Sequence, residues 1–113
     1  MTYPYGATYE PLSCNGLDFD GGPGGADDDV VVPAGDASLS TCVTAEGVHD
    51  LSGNVSEWSS TVTGTTPVTN IPIYQVRGGS FASPSQGLTC QFSLSRYAAT
   101  ASLDDLGFRC CKD

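Results

Sequence analysis

The segment Gly47–Trp58, GVHDLSGNVSEW, constrains this chain more than any other. Gly53 and Asn54 are residue types that enter the left-handed backbone region at low cost, so the chain is expected to fold back sharply there. Just beyond stands Trp58, the only tryptophan of the protein. A lone tryptophan in a small domain is a large apolar block, expected to pack into the core. The same turn gathers oxygen donors: Asp50 offers a carboxylate and Glu57 returns a second one seven residues later. Carboxylates on a tight turn, with carbonyls exposed between them, could hold a hard cation such as Ca²⁺. The spacing is not that of an EF-hand loop, and the residues read equally as a polar turn ahead of a buried tryptophan.

With 113 residues the chain is expected to form one domain, 1–113, with a modest core. Its 14 glycines and many Ser and Thr favour short strands and long irregular loops over helices. The formal net charge is −9, with only four Lys and Arg. Nucleic acid and anionic membrane surfaces need clustered cations and are disfavoured; divalent cations or cationic ligands suit the charge better. No stretch approaches the roughly 20 apolar residues of a membrane-spanning helix, so no membrane insertion is expected. Met1–Pro4 has neither the basic region nor the apolar run of a signal peptide, so either an export signal has been removed or the chain is a fragment of a longer protein. The five cysteines, Cys14, Cys42, Cys90, Cys110 and Cys111, form no CxxC, and with one histidine the zinc-finger spacings are absent. This composition points to disulfides and an oxidising location: extracellular, periplasmic or at the cell surface. The odd count leaves one thiol over.

Along the chain, three tyrosines among Pro4, Gly6 and Pro11 suggest an extended, aromatic opening segment. Residues 14–29 are a glycine and aspartate loop, in which Asp18, Asp20 and the run Asp27–Asp29 could bind Ca²⁺ or simply be solvated. Val30–Val32 reads as a brief strand stopped by Pro33. Ser59–Thr69 has little periodicity and reads as an exposed loop. Ile71–Arg77 is the best strand, with Ile71, Ile73 and Gln75 on one face and Pro72, Tyr74 and Val76 on the other. The glycines of Gly78–Phe81 allow a close backbone approach, with Phe81 turned inward. Ala82–Thr89 reads as a polar loop, Cys90–Tyr97 as a strand, Ala98–Asp105 as a loop or single helical turn, and Leu106–Cys111 as a closing strand. His49 reads as a loop histidine rather than a base. Arg96 and Arg109, two cations in an acidic chain, are expected to pair with carboxylates.

Three segments in fixed order, GVHDLSGNVSEW, VRGGSF and LGFRC, together with the opening YPYG, resemble the C-terminal half of the formylglycine-generating enzyme, or sulfatase-modifying factor, family. The resemblance implies an α+β, C-type-lectin-like fold with little regular structure, often stabilised by Ca²⁺. It places one calcium site on the side chains of Asp50 and Glu57 and the carbonyls of Gly53 and Val55. Another would begin at Asn15 and Gly16 and continue to Asp28. Family enzymes oxidise a substrate cysteine with oxygen and a copper(I) ion held by two cysteines in the loop after GGS. Those positions here are Ser83 and, approximately, Leu88, and soft thiolates suit Cu(I) where hydroxyls do not. Cys90 is nearby but is one thiol in a shifted register. The family's active-site tryptophan is Ser56 here. Copper and formylglycine generation are therefore not expected, and no catalytic residue is assigned. In the family the cysteine ending GFRC pairs with one upstream of the YPYG region, in a half not present in this sequence. The pairing expected here is Cys14–Cys42 with Cys90–Cys111, leaving Cys110 over, and Cys90–Cys110 stands as the alternative.

Three functions follow. The first is a non-catalytic, Ca²⁺-stabilised lectin-like module. Its unknown ligand, a peptide or a glycan, would touch the loops Thr61–Thr69 and Ala82–Thr89, with Ser80, Ser83 and Arg96 as candidate contacts. The second is a fragment or degenerate copy of the enzyme, whose N-terminal half would be its partner. The third is a hypervariable ligand-binding receptor of the same fold, matched at Arg77–Ser80, Arg96 and Gly107–Arg109. Its usual aromatic- and Asn-rich variable stretch is here mostly Ser, Ala and Thr.

Overall fold

The alternating segment around Ile73 becomes the second strand of a four-stranded sheet in the computed structural model, which describes residues 1–19 and 29–110. Strand β1 is Ser56–Thr65, β2 Pro72–Arg77, β3 Arg96–Ala98 and β4 Leu106–Gly107. The spatial order is β3-β2-β1-β4. β2 runs antiparallel to both neighbours, while β4 lies parallel to β1. The helical elements among the described residues are two 3-10 turns, Ala37–Leu39 and Ser85–Leu88. A mixed sheet with almost no helix is compatible with an α+β fold of the expected kind. No helix among the described residues is long and apolar enough to cross a membrane.

The sheet departs from the sequence reading in several places. The Ser/Thr run expected as a loop from Ser59 continues β1 as far as Thr65. Thr and Val favour extended backbone, and the hydroxyls add bonds to the partner strand. Ser59 Oγ donates to the Gln75 carbonyl at 2.8 Å and Thr63 Oγ1 to that of Ile73 at 3.3 Å. The strand expected over Cys90–Tyr97 begins only at Arg96, because the Cys90 amide turns to the Thr2 carbonyl and the Phe92 amide closes a turn on Thr89. Val30–Val32 is no strand, since Val32 pairs with a side chain instead. The closing strand stops at Gly107, beyond which Arg109 turns toward Asp50 and Glu57. Trp58 is half-buried rather than a core residue: it meets Tyr74 edge to face, with ring centroids 6.3 Å apart.

The densest burial lies beside the sheet. Cys14, Phe19, Val32, Leu39 and Cys42 form the apolar cluster, with Tyr5 packed against it. Cys14 and Cys42 are joined by a disulfide across a sequence separation of 28. Cys90 and Cys110 are free and exposed, which corrects the second bridge expected from Cys90. Cys90 is fixed beside Thr2 and Arg77, whereas Arg109 anchors the Cys110 segment at Asp50 and Glu57. Cys111 lies outside the described residues. At the opening of the chain Tyr3 stacks on Tyr5 and tilts against Tyr9, whose hydroxyl donates to Asp18 at 3.0 Å.

The cluster is tied to the sheet through Asn54. Its backbone is left-handed, with φ 65°. Its side-chain amide donates to the Val32 carbonyl at 2.9 Å and accepts from the Val32 amide at 2.9 Å and from Asn15 Nδ2 at 3.1 Å. Its own amide donates to the Asn15 carbonyl at 2.7 Å, and its carbonyl accepts from Phe81 at 3.0 Å. Asn54 thus stands in for a strand beside Val32. Gly53 before it is irreplaceable for space, because a Cβ would collide with the Asn15 carbonyl.

Two outcomes follow. Replacing both Cys14 and Cys42 with serine should cost about 3.5 kcal/mol, the loop-closure entropy of a bridge this long, measured by urea unfolding. Burial, and then the bond to Asp18, raise the Tyr9 pKa above its ordinary 10.0. A raised folded-state pKa stabilises fully below pH 10 and is lost as pH climbs through the folded value. Stability should therefore fall on the alkaline side of pH 10, and Tyr9→Phe should flatten that fall.

Candidate functional site

The turn that carries Asp50 is held from two sides. The Asp50 amide donates to the Cys42 carbonyl at 2.9 Å, the Gly53 amide to Gly78 at 2.8 Å, and Asp50 itself adopts a left-handed φ of 56°. This conformation buries the carboxylate, leaving the residue 6% exposed. Asp50 Oδ2 accepts from the Gly35 amide at 2.8 Å. Asp50 Oδ1 is buried and has no partner. It is the one buried side-chain polar atom without a partner among the described residues.

Asp50 lines a cavity of about 250 Å³ with Asn54, Val55, Glu57, Phe108 and Arg109. Arg109 reaches into it from the end of the sheet. Its Nε donates to Glu57 Oε1 and Oε2 at 3.1 and 3.2 Å, and its Nη2 to Oε1 at 2.8 Å. The same Nη2 meets the carbonyls of His49 at 3.0 Å and Asp50 at 3.2 Å. A guanidinium fork is suited to a carboxylate in this way. The arrangement therefore presents two carboxylates, one gripped and one half-satisfied, around a cleft already able to hold positive charge. The carbonyls of Gly53 and Val55 accept none of the loop or turn hydrogen bonds among the described residues. Among those residues no three His, Cys, Asp or Glu side chains gather. A cation in this cleft would rest on the two carboxylates, on backbone carbonyls and on water.

The donor set fits a hard cation in kind, because an orphaned buried carboxylate oxygen is what such an ion would satisfy. The fit has a condition: the ion would share Glu57 with Arg109 or displace it. The second expected group is less open. Asn15 is buried, and its Nδ2 donates to the carbonyl of Val30 and to Asn54. The Gly16 carbonyl accepts from Phe19 at 3.0 Å. Asp28 lies outside the described residues, as do Asp20 and Asp27.

Ser80 and Ser83 share one turn, but their hydroxyls serve it. Ser83 Oγ accepts from the Ser80 amide at 2.9 Å, and Ser80 Oγ donates to Asp105 at 2.9 Å. Leu88 is buried and packs so closely on Gly16 that a Cβ there would strike it. Ser56 is buried and donates its amide to the Asp105 carbonyl. Arg96, on β3, sits directly opposite Gln75 of β2 and is exposed. Of the two arginines expected to pair with carboxylates, Arg109 does so with the half-buried Glu57, while no carboxylate meets Arg96 among the described residues. His49 is exposed and contributes only its carbonyl to this cleft. Two features escaped the sequence reading: the amide of Asn54, and Phe108 over the cleft. The first had a signal in the left-handed propensity of Asn54, which marks the turn but not its partners.

Residues 26–113 match the model of one protein family, described as the sulfatase-modifying factor enzyme 1-like domain. The matched span contains all of the sheet and the Asp50 cleft. No curated protein matches the chain.

Arg109→Ala should cost about 1–2 kcal/mol in urea unfolding, since it removes a forked ion pair and two carbonyl bonds at a half-exposed site. Arg109→Lys should recover little of this, because an ammonium cannot reproduce the fork.

Proposed function

This chain belongs to the sulfatase-modifying factor enzyme 1-like family, and we propose that within it the protein is a non-catalytic, Ca²⁺-stabilised module of C-type-lectin-like fold that binds a ligand or serves a structural role outside the cytoplasm. The observation that carries the proposal is the buried, unpartnered Oδ1 of Asp50 at a cleft shared with Glu57. An uncompensated carboxylate oxygen in such a place costs stability, and a hard cation would remove that cost. Asp50 and Glu57 would supply side-chain oxygens, and Gly53 and Val55 carbonyls. The ion would act on the fold: it would brace the Asp50 turn against the end of the sheet.

The non-catalytic part of the proposal is supported by the residues at the two positions where the family's copper ligands would stand. Copper(I) chemistry in this family needs two thiolates after the GGS turn. Ser83 and Leu88 stand there, and both are built into the packing around Gly16 and Ser80. A serine hydroxyl bound to a backbone amide and a buried leucine offer no soft ligand. Ligand contact would fall to the exposed loops rather than to the Ser80–Ser83 turn, whose hydroxyls are engaged.

Thermal unfolding of the oxidised protein in excess Ca²⁺ and in excess EDTA tests this reading. The midpoint should rise with Ca²⁺. Glu57→Ala should abolish the rise, and Arg109→Gln, which frees Glu57, should enlarge it. A cooperative transition indifferent to Ca²⁺ removes the site. Tight stoichiometric Cu(I) binding, or oxidation of a CxPxR peptide, would overturn the non-catalytic reading.

A further inference from the structure

We infer that the corner between Trp58 and Tyr74 is a binding site for a quaternary ammonium group. The inference goes beyond the calcium-stabilised reading and does not depend on it. The two rings stand at 89° to one another, with centroids 6.3 Å apart. With Ser59 and Ala99 they line a cavity of about 200 Å³ open to solvent. In this edge-to-face pair the edge of one ring covers part of the other's face, and the angle left between the two planes is walled by the open face of the first ring and the uncovered part of the second. A cation in that corner lies within about 6 Å of both centroids, the range over which the ring quadrupole attracts charge.

The register of the sheet says which charge such a site accepts. Residues directly opposite on paired strands share a face. Trp58 is opposite Val76, Val62 opposite Tyr74, and Tyr74 opposite Tyr97. One face therefore carries Trp58, Val62, Tyr74, Tyr97 and the fully buried Val76. The other carries Glu57 opposite Arg77 and Gln75 opposite Arg96, and Arg109 joins it through Glu57. The described arginines are thus segregated away from the aromatic face, in a chain whose net charge is −9. A cation approaching the aromatic face meets no guanidinium from the sheet and gains from the field of the whole molecule.

The lining selects the kind of cation. A primary ammonium or a sugar needs hydrogen-bonding groups in its pocket. Here the Ser59 hydroxyl is engaged with the Gln75 carbonyl at 2.8 Å and the Thr61 amide at 3.3 Å, and the other walls are two rings, whose polar atoms are the indole N–H and the phenol at their rims, and an alanine methyl. A fully methylated nitrogen has no N–H to satisfy. Its methyl groups suit apolar walls and its charge suits the π faces.

Because Trp58 is the chain's only tryptophan, its fluorescence reports this corner directly. The intact protein is titrated with tetramethylammonium chloride at constant ionic strength, and in parallel with neopentyl alcohol, a water-soluble uncharged analogue of the same branched skeleton plus one hydroxyl. The expected result is a saturable change with tetramethylammonium and binding of the alcohol weaker by about tenfold or more. Tyr74→Leu, which keeps apolar bulk and removes one ring, should weaken the ammonium by about fivefold or more. No saturation with tetramethylammonium, or equal binding of the alcohol, overturns the inference whatever the variant does. Saturation by a neutral hexose in place of the ammonium also overturns it. A melting curve indifferent to Ca²⁺ leaves this result untouched, so the two readings fail separately.

Discussion

Asn54 holds this protein together at a place where no secondary structure could. The apolar cluster around the Cys14–Cys42 bridge and the sheet that starts at Ser56 are separate pieces of the chain. The amide of Asn54 bonds both backbone groups of Val32, as a neighbouring strand would, and also reaches Asn15. Its backbone closes the same ring through the Asn15 carbonyl and the Phe81 amide. Each of these groups is buried or nearly so, and each would be expensive to leave unpaired. With little helix and a narrow sheet, the domain replaces ladders by one saturated side chain.

The cleft at Asp50 is a consequence of that knot. The turn that gives Asn54 its left-handed backbone also carries Asp50, and with it the buried carboxylate. Arg109 then brings the far end of the sheet to the same turn, onto Glu57 and two carbonyls. Stability and the candidate cation site share one set of atoms, which is why a structural ion is the natural reading. The opposite face of the sheet is independent of it. There the side chains are aromatic or valine and the described arginines are absent, so the ligand proposed for that face would not need the turn.

What the sequence disclosed follows from what local patterns can encode. The Gly53–Asn54 turn was legible because few residues accept a left-handed backbone. Strand β2 was legible because Tyr74 and Val76 alternate with Ile73 and Gln75. The family was legible from GVHDLSGNVSEW, VRGGSF and LGFRC in order. Strand β1 was not, because its Ser and Thr side chains are mostly exposed and leave no alternation of burial; its partner strand and its hydroxyl bonds define it. That Arg109 pairs with a carboxylate was legible from its charge in an acidic chain, but its partner Glu57, and the absence of such a partner for Arg96 among the described residues, were not, since only the sheet decides which arginine reaches Glu57. The far partners of Asn54, at Asn15 and Val32, carry no local mark at all.

The most direct test of this account is equilibrium urea unfolding of Asn54→Gly. Glycine keeps the left-handed backbone without strain, so the comparison isolates the side-chain amide. The account predicts a loss of about 2–4 kcal/mol, the cost of stripping partners from the Val32 backbone and the Asn15 amide. Stability within about 0.5 kcal/mol of the unaltered protein would contradict it, because a change that small is what an ordinary surface substitution produces.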